Sequence, residues 1–108
     1  MNVFKDMKRN IKWVFQRLFR GFDDRDYWSL NDTISKFALP RLILLKKKKH
    51  GYPWNFKNMK EWNKTLDEII WAHKFVINEQ YDTFNKDKYD RCQKGLELFG
   101  KHYRSLWD

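Results

Sequence analysis

Apolar residues recur every three or four positions along four long segments of the chain, a period that predicts α-helices. The first segment covers residues 2–20, and Lys and Arg occupy half of the positions off its apolar stripe. Two interpretations stay open for it: a bundle helix with a basic solvent face, or a basic amphipathic helix lying on a membrane or on nucleic acid. Trp13 and Phe19 lie off the main stripe, which keeps the second interpretation open. The stripe consists of Val3, Phe4, Met7, Ile11, Val14, Phe15 and Leu18.

The second segment, from about residue 33 to Lys49, is apolar over most of its circumference. A helix of this kind is typical of the centre of a bundle, and we therefore expect it to be the core helix. Pro40 lies inside the pattern, where it removes a backbone donor and should kink the helix. Because the period resumes beyond Pro40, one kinked helix is favoured over two separate helices. The apolar positions are Ile34, Phe37, Ala38, Leu39, Leu42, Ile43, Leu44 and Leu45.

The third segment begins at Asn58, which forms a variant of the capping box with Glu61. The helix that follows is predicted to end near Asn78. His73 lies on its apolar face, where a hydrogen-bonded core histidine is expected more than a ligand or a base. The stripe is formed by Met59, Trp62, Leu66, Ile69, Ile70, His73, Val76 and Ile77.

The last segment, residues 82–106, repeats its apolar residues in a heptad pattern. Such a seam can dock on the core helix or pair with a second copy, and both alternatives stay open. Gly95 and Gly100 lie inside it and predict that another backbone approaches closely. No strand pattern or repeat is present, so the predicted fold is an all-α bundle of about four helices, the second kinked at Pro40. The seam is formed by Tyr89, Cys92, Leu96, Phe99, Tyr103 and Leu106.

The length of 108 residues indicates one domain, residues 1–108, with a basic amphipathic helix over 1–20 and a core bundle over 21–108. Cys92 is the only cysteine, which excludes an internal disulfide and fits a reducing compartment. No apolar run approaches the ~20 residues that span a bilayer, and bases interrupt the N-terminal segment where a secretory signal would be apolar. We therefore expect a soluble, intracellular protein without a membrane partner. Six Trp, five Tyr and nine Phe exceed what the core needs, which predicts a surface for a ligand, a partner or another copy in a homo-oligomer.

The net charge of +9 is concentrated in residues 1–20 and in residues 36–60, and the second block has eight Lys or Arg and no Asp or Glu. Aromatic residues accompany these cations. Cations neutralise phosphates and flat rings stack on bases, so this set suits a nucleic acid strand or a small anionic nucleotide. The alternative is a solvated helix end beside rings that only cover the core. The candidate site is Arg41, Lys46, Lys47, Lys48, Lys49, His50, Tyr52, Trp54, Lys57 and Lys60.

Signatures of enzymes are missing from the sequence: there is no glycine-rich phosphate loop, paired Cys or His ligand set, or nucleophile elbow. Cys92 occupies a heptad core position, where a thiol is usually inert. Asp23, Asp24 and Asp26 form an acidic cluster, for which a capping and dipole role is favoured over a divalent-metal site. We therefore expect a non-enzymatic protein with no metal and no cofactor.

Short stretches spread over most of residues 21–108 resemble a family of small, uncharacterised bacteriophage proteins. The matching stretches are Gly21-Phe22-Asp23-Asp24, Trp28-Ser29-Leu30-Asn31, Leu39-Pro40-Arg41-Leu42, His50-Gly51-Tyr52-Pro53, Glu61-Trp62, Leu66-Asp67-Glu68-Ile69-Ile70, Gly95-Leu96-Glu97-Leu98-Phe99 and Leu106-Trp107. The basic first helix and the Lys46–Lys49 run look like features of this sequence more than of the family pattern. The family carries no assigned activity, so the resemblance transfers no site residues.

The resemblance implies a context in the cytoplasm of a host bacterium. A small phage protein without catalytic motifs is expected to bind a host component, and the leading hypothesis is an anti-defence protein that sequesters an anionic, cyclic nucleotide signal. The alternatives are a nucleic-acid-binding accessory protein, or an inhibitor docking on a host defence protein through exposed aromatics such as Trp13, Trp54 and Trp107.

Overall fold

The computed structural model describes residues 3–79 and 84–108, with side chains from Lys5 onward. Within these residues all regular structure is helical, and the prediction of an all-α fold with about four long helices is confirmed. The elements are α1 (Val3–Arg20), α2 (Arg25–Trp28), α3 (Leu30–Lys48), α4 (Met59–Asn78), α5 (Lys86–Lys101) and a 3₁₀ helix at Tyr103–Ser105.

The chain forms two compact units, Met1–Thr33 and Ile34–Asp108, here called unit 1 and unit 2. The division falls inside α3, whereas the sequence pattern separates a basic helix from a core bundle after residue 20. The organisation of residues 1–108 as one domain stays a prediction.

The core of unit 2 is centred on α4, which the sequence predicts with accurate ends. Asn58 caps the helix, with its side-chain oxygen accepting a hydrogen bond from the Glu61 backbone N–H at 2.9 Å. Trp62 is 2% exposed, and Leu66 is fully buried. His73 is also buried, with Nδ1 2.7 Å from the carbonyl oxygen of Ile69, so its prediction as a hydrogen-bonded core histidine is confirmed.

The expectation that the second segment forms the core helix is wrong. α3 buries only Ser35 and Leu42, whereas Phe37 and Leu44 on the same helix are 62% and 52% exposed. The reason is geometric: a helix that is apolar nearly all round is buried on every side only if neighbours surround it, and several apolar side chains of α3 stay exposed. The helix continues through Pro40, as expected for one helix instead of two, and the kink itself stays a prediction.

The contact between α4 and α5 depends on one glycine. A Cβ atom placed on Gly95 would lie 2.5 Å from the Ala72 Cβ and 2.6 Å from the Glu68 carbonyl oxygen, so the two backbones meet at a distance that excludes a side chain. The prediction of close approach is confirmed for Gly95 and is wrong for Gly100, where no atom of the described residues lies within 4 Å of such a Cβ.

Only part of the heptad seam predicted for the last segment is helical and buried. α5 begins at Lys86 and ends at Lys101, because the chain then turns into the 3₁₀ helix. Cys92 lies against α4, with Sγ 3.6 Å from the Ala72 carbonyl oxygen, but Tyr103 is 63% exposed. The part of the predicted start that falls on residues 82–83 lies outside the described residues.

In unit 1, α1 buries Trp13 on the side opposite to its apolar stripe, and both interpretations of this helix, a bundle helix with a basic solvent face or a basic amphipathic helix on a membrane or nucleic acid, stay predictions. Trp13 is 9% exposed, and the edge of its ring meets Trp28 at a centroid distance of 5.8 Å. The Arg25 guanidinium lies 4.1 Å from the centre of the same ring. Stripe residues such as Ile11 and Leu18 are 52% and 71% exposed. Periodicity identified the apolar face correctly, but an ion-pair network on the other face determines how the helix packs.

Candidate functional site

An open groove of about 530 Å³ in unit 2 brings together two segments that are distant in sequence. It is lined by residues 50–54, by Ser105, Trp107 and Asp108, and by Trp62. The loop after α3 is shaped by a turn in which Phe56 donates its backbone N–H to the Pro53 carbonyl oxygen at 3.0 Å. We call this site the aromatic groove.

The rings of the aromatic groove differ sharply in exposure. Trp54 is 95% exposed and Trp107 is 75% exposed, whereas Trp62 is buried. Trp62 is held by the rings of Phe56 and His102 at centroid distances of 4.9 and 5.8 Å, and burial lowers the pKa of His102. The groove therefore combines a well-packed ring with two rings that solvent reaches freely, an arrangement that suits stacking on a flat ligand.

An acid–base pair lies in the same groove. The backbone N–H of His50 donates to Asp108 Oδ1 at 2.8 Å, and the His50 ring Nδ1 lies 3.1 Å from Asp108 Oδ2. The backbone hydrogen bond from His50, together with the His50 ring, lowers the pKa of the Asp108 carboxyl. Asp108 is therefore ionised at neutral pH and places a negative charge in the groove.

Ser105 completes a Ser, His and Asp set around the aromatic groove, but the structure does not connect it as a catalytic triad. Activation of a serine requires a hydrogen bond from its hydroxyl to the histidine. His50 bonds to Asp108 instead. Within the described part of the chain, Ser105 makes no hydrogen bond to the His50 ring. We assign no nucleophile to this set.

The cations of the predicted site do not converge on the aromatic groove. Lys46 Nζ pairs with Asp67 at 2.5 Å, and Lys49 Nζ donates to the Lys46 carbonyl oxygen and to Asn63 Oδ1. Burial, followed by the charge of Lys46, lowers the pKa of Lys49. These two lysines therefore connect α3 to α4. The other lysines of the predicted site are exposed to solvent and lie near the ends of the loop between α3 and α4. They are Lys47, Lys48, Lys57 and Lys60.

Arg41 belongs to a second, apolar groove of about 720 Å³ in unit 2. Its guanidinium lies 3.7 Å from the centre of the Phe37 ring and donates to the Phe37 carbonyl oxygen at 2.9 Å. The cation thus lies along the rim of the apolar groove and not beside Trp54. The lining is completed by Ile34, Ala38, Leu42, Leu45, Phe99, Tyr103 and Leu106.

Of the predicted residues, the structure brings His50, Tyr52 and Trp54 together at the aromatic groove. Sequence reasoning missed Asp108 and the role of Trp62, which it assigned to the core alone. Trp107 could be suspected, because a tryptophan beyond the heptad seam has no core position, and it is exposed as expected. Trp13 is buried, so it is not an exposed docking residue as the sequence suggested.

The acidic cluster of unit 1 is engaged by cations of the protein itself. Asp23 is fully buried and accepts from Arg17 Nε at 2.7 Å and from Arg25 Nη2 at 2.9 Å. Its Oδ1 also accepts from the Arg25 backbone N–H, but the N-cap residue of α2 is Asp24, whose side chain makes no capping hydrogen bond. Hydrogen bonding by the Gln16 and Arg20 side chains lowers the pKa of Asp24 to about 2.

No group of three or more potential metal-binding side chains occurs in the described part of the chain, and the Asp23 and Asp24 oxygens already bind guanidinium groups. The carboxylates of this turn therefore connect it to α1. Elsewhere, burial raises the pKa of the Cys92 thiol, which keeps it protonated and unreactive at neutral pH.

No protein-family model, curated protein or solved structure matches this chain. Among the described helices, none combines the length and the apolar character needed to cross a membrane.

Proposed function

We propose that this is a non-enzymatic binding protein that takes the base of a phosphate-bearing nucleotide into the aromatic groove. The observation that carries the proposal is the convergence of Trp54 and Trp107, from distant parts of the chain, on a groove in which Trp62 is packed in place. Keeping a tryptophan ring 95% exposed has no benefit for a core, whereas it gives a flat ligand a surface to stack on.

The charge around the groove supports a ligand whose phosphates lie outside it. No Lys or Arg is among the residues that line the aromatic groove. Exposed lysines lie at the end of α3 and at the start of α4, the two elements that the groove loop joins. Asp108 inside the groove would repel a phosphate there, so the base enters and the phosphates extend toward the lysines.

In the phage context implied by the resemblance, the ligand is a cyclic nucleotide signal of host immunity, and sequestering it would counteract the defence. A single strand of nucleic acid offers the same bases and phosphates. Salt separates the two, because a strand that contacts several lysines releases more counterions and binds with a steeper salt dependence than a small nucleotide.

The contribution of the exposed tryptophan rings to ligand affinity is tested by titration calorimetry. The ligands are cyclic di- and trinucleotides, cyclic ADP-ribose isomers and a short oligothymidylate. Trp54→Ala and Trp107→Ala should each weaken binding about tenfold or more, because base–ring stacking contributes roughly 1–3 kcal/mol. Phe84→Ala removes a 78% exposed ring that does not line the groove and should bind like the unmodified protein. The proposal is abandoned if none of these ligands binds, or if all three variants lose affinity equally.

The charge arrangement is tested by Asp108→Asn, which keeps an oxygen for the His50 N–H and removes the negative charge. Affinity for a nucleotide should rise, by about tenfold at most, while affinity for the corresponding nucleoside should stay nearly unchanged. Equal effects on nucleotide and nucleoside would show that phosphates do not lie near the groove.

A further inference from the structure

The apolar groove of unit 2 shares no lining residue with the aromatic groove. Its volume of about 720 Å³ lies within the usual range of small-molecule sites, roughly 300–1,000 Å³. α3 lines the groove with one face, because its lining residues recur every three or four positions from Ile34 to Leu45. Phe99 of α5 completes the lining together with Tyr103 and Leu106. All of these residues belong to unit 2.

The apolar groove is built on side chains that the core of unit 2 holds in place. Leu42 is 5% exposed and belongs to the buried cluster of α4 residues. The Phe99 ring meets the buried His73 ring edge to face at a centroid distance of 4.7 Å, and it meets the Tyr103 ring in the same way at 5.6 Å. Because these walls are ordered by packing, an apolar ligand would lose little affinity to the ordering of side chains.

Arg41 is the one charged residue among those that line the apolar groove. Its guanidinium lies against the Phe37 ring, and Nη1 donates to the Phe37 carbonyl oxygen. A guanidinium has five N–H donors, so donors remain for a ligand. No Asp or Glu lines the groove, and no carboxylate in the described part of the chain forms an ion pair with Arg41. The groove therefore combines apolar walls with one positive charge that an anion would complement.

We propose that the apolar groove binds a single-chain anionic amphiphile, of which a free fatty acid is the simplest. The alkyl chain lies against Leu42 and Phe99, and the carboxylate accepts hydrogen bonds from the Arg41 guanidinium at the rim. The lining offers hydrogen-bond donors only on the side chains of Arg41 and Tyr103, so the ligand is apolar except at its anionic end. This site does not depend on the function proposed for the aromatic groove.

The test is titration calorimetry of the full chain with octanoate, decanoate and dodecanoate, each below its micelle-forming concentration. Binding should be saturable, and affinity should rise about tenfold for every two methylene groups, because each leaves water for an apolar surface. Decyltrimethylammonium has a similar alkyl chain with a positive end and should bind at least about tenfold more weakly than decanoate. Absence of saturable binding by the three fatty acids would overturn the proposal, as would equal affinity for decanoate and decyltrimethylammonium.

Two matched pairs of variants test where decanoate binds. Arg41→Gln should weaken binding about tenfold or more, because it removes hydrogen bonds to a charged group. Lys94→Gln removes an exposed cation of α5 outside the groove and should bind within about twofold of the unmodified protein. Ile34→Asp should also weaken binding about tenfold or more, because it places a negative charge on the apolar wall. Ile43→Asp is its control, since the two isoleucines of α3 are 47% and 43% exposed and only Ile34 lines the groove.

Circular dichroism of the four variants shows whether helix content is retained. If the aspartate variants lose helix content, the comparison of Arg41→Gln with Lys94→Gln decides. Equal loss of decanoate binding within that pair would overturn the proposal, and so would equal loss in two folded aspartate variants. Loss of decanoate binding in Trp54→Ala would place the fatty acid in the aromatic groove and would also overturn it.

Discussion

α1 and α4 carry the same kind of amphipathic pattern, yet only α4 buries it. Leu66 on the α4 stripe is fully buried, while Leu18 on the α1 stripe is 71% exposed. α4 has a partner, α5, whose Gly95 lets the two backbones meet. α1 is held instead through Trp13 and through ion pairs with the acidic turn. The comparison shows that periodicity identifies an apolar face and that packing determines whether the face is buried.

The difference also separates two sources of stability. α4 is stabilised by removing apolar surface from water, which acts over a wide pH range. α1 depends on carboxylates that are charged only above their pKa values. Substitutions and acid should therefore affect the two helices differently.

The largest effect is expected from truncating the two stripes at matched leucines. Leu66→Ala should lower the free energy of unfolding of unit 2 by about 2–5 kcal/mol, because it leaves a cavity at a fully buried position. Leu18→Ala should change stability by less than about 0.5 kcal/mol, because the side chain is exposed. Urea denaturation followed by circular dichroism measures both. A cost at Leu18 as large as that at Leu66 would mean that the α1 stripe is buried in solution.

A second pair of substitutions tests the closeness of α4 and α5. Gly95→Ala should destabilise unit 2 by about 1–3 kcal/mol, because its Cβ would overlap Ala72 and the Glu68 backbone. Gly100→Ala should stabilise it by up to about 1 kcal/mol, because the site has space and alanine favours the helix. Thermal denaturation of the two variants gives the sign of each change, and destabilisation by both would show that the space at Gly100 is filled in solution.

Acid should perturb the two units over different pH ranges. His102 is buried with a pKa below its ordinary 6.5, so unit 2 has the full benefit of the neutral ring above pH 6.5 and loses it as the pH falls through the lowered pKa. The pKa of Asp24 is lowered from 3.8 to about 2, so its carboxylate stabilises unit 1 above pH 3.8 and this contribution is lost toward pH 2.

NMR of the indole N–H signals separates these two ranges. The Trp62 signal should respond first as the pH falls, and His102→Gln should remove that response. The Trp13 signal should respond below about pH 4, and Asp24→Asn should reduce that response. If both indoles changed together in every variant, the two units would be unfolding as one.

The smallest effect is expected at the ion pair that joins α4 and α5 on their surface. Glu68 Oε2 lies 2.9 Å from Arg91 Nε, and the two side chains are 41% and 48% exposed. Glu68→Gln should therefore cost about 0.5 kcal/mol or less, and less still at high salt, because solvent screens the pair. A loss above about 2 kcal/mol in urea denaturation would show that the pair is desolvated and that charge contributes to the α4–α5 contact.

The candidate site could be predicted from the sequence only in part. The basic, aromatic segment drew attention to the loop that contains Tyr52 and Trp54, and both line the aromatic groove. The pairing of His50 with Asp108 was not predictable, because it joins residues that are 58 positions apart in the chain. The engagement of Lys46 and Lys49 by α4 was not predictable either, since it depends on how α3 lies against α4.

By itself, the sequence determined the four long helices, the Asn58 cap and the apolar face of each long helix, because these follow from local spacing and from backbone chemistry within a few residues. Only the tertiary structure decided that α4 and not α3 is central to unit 2, that Trp13 is the buried side chain of α1 in unit 1, and that Trp107 and Asp108 join the loop at Trp54. The physical reason is that burial depends on which surfaces meet in space. An apolar stripe does not specify which surface will cover it. A close contact such as that between Gly95 and Ala72, in contrast, favours one arrangement of α4 and α5, because there is no room for a larger side chain.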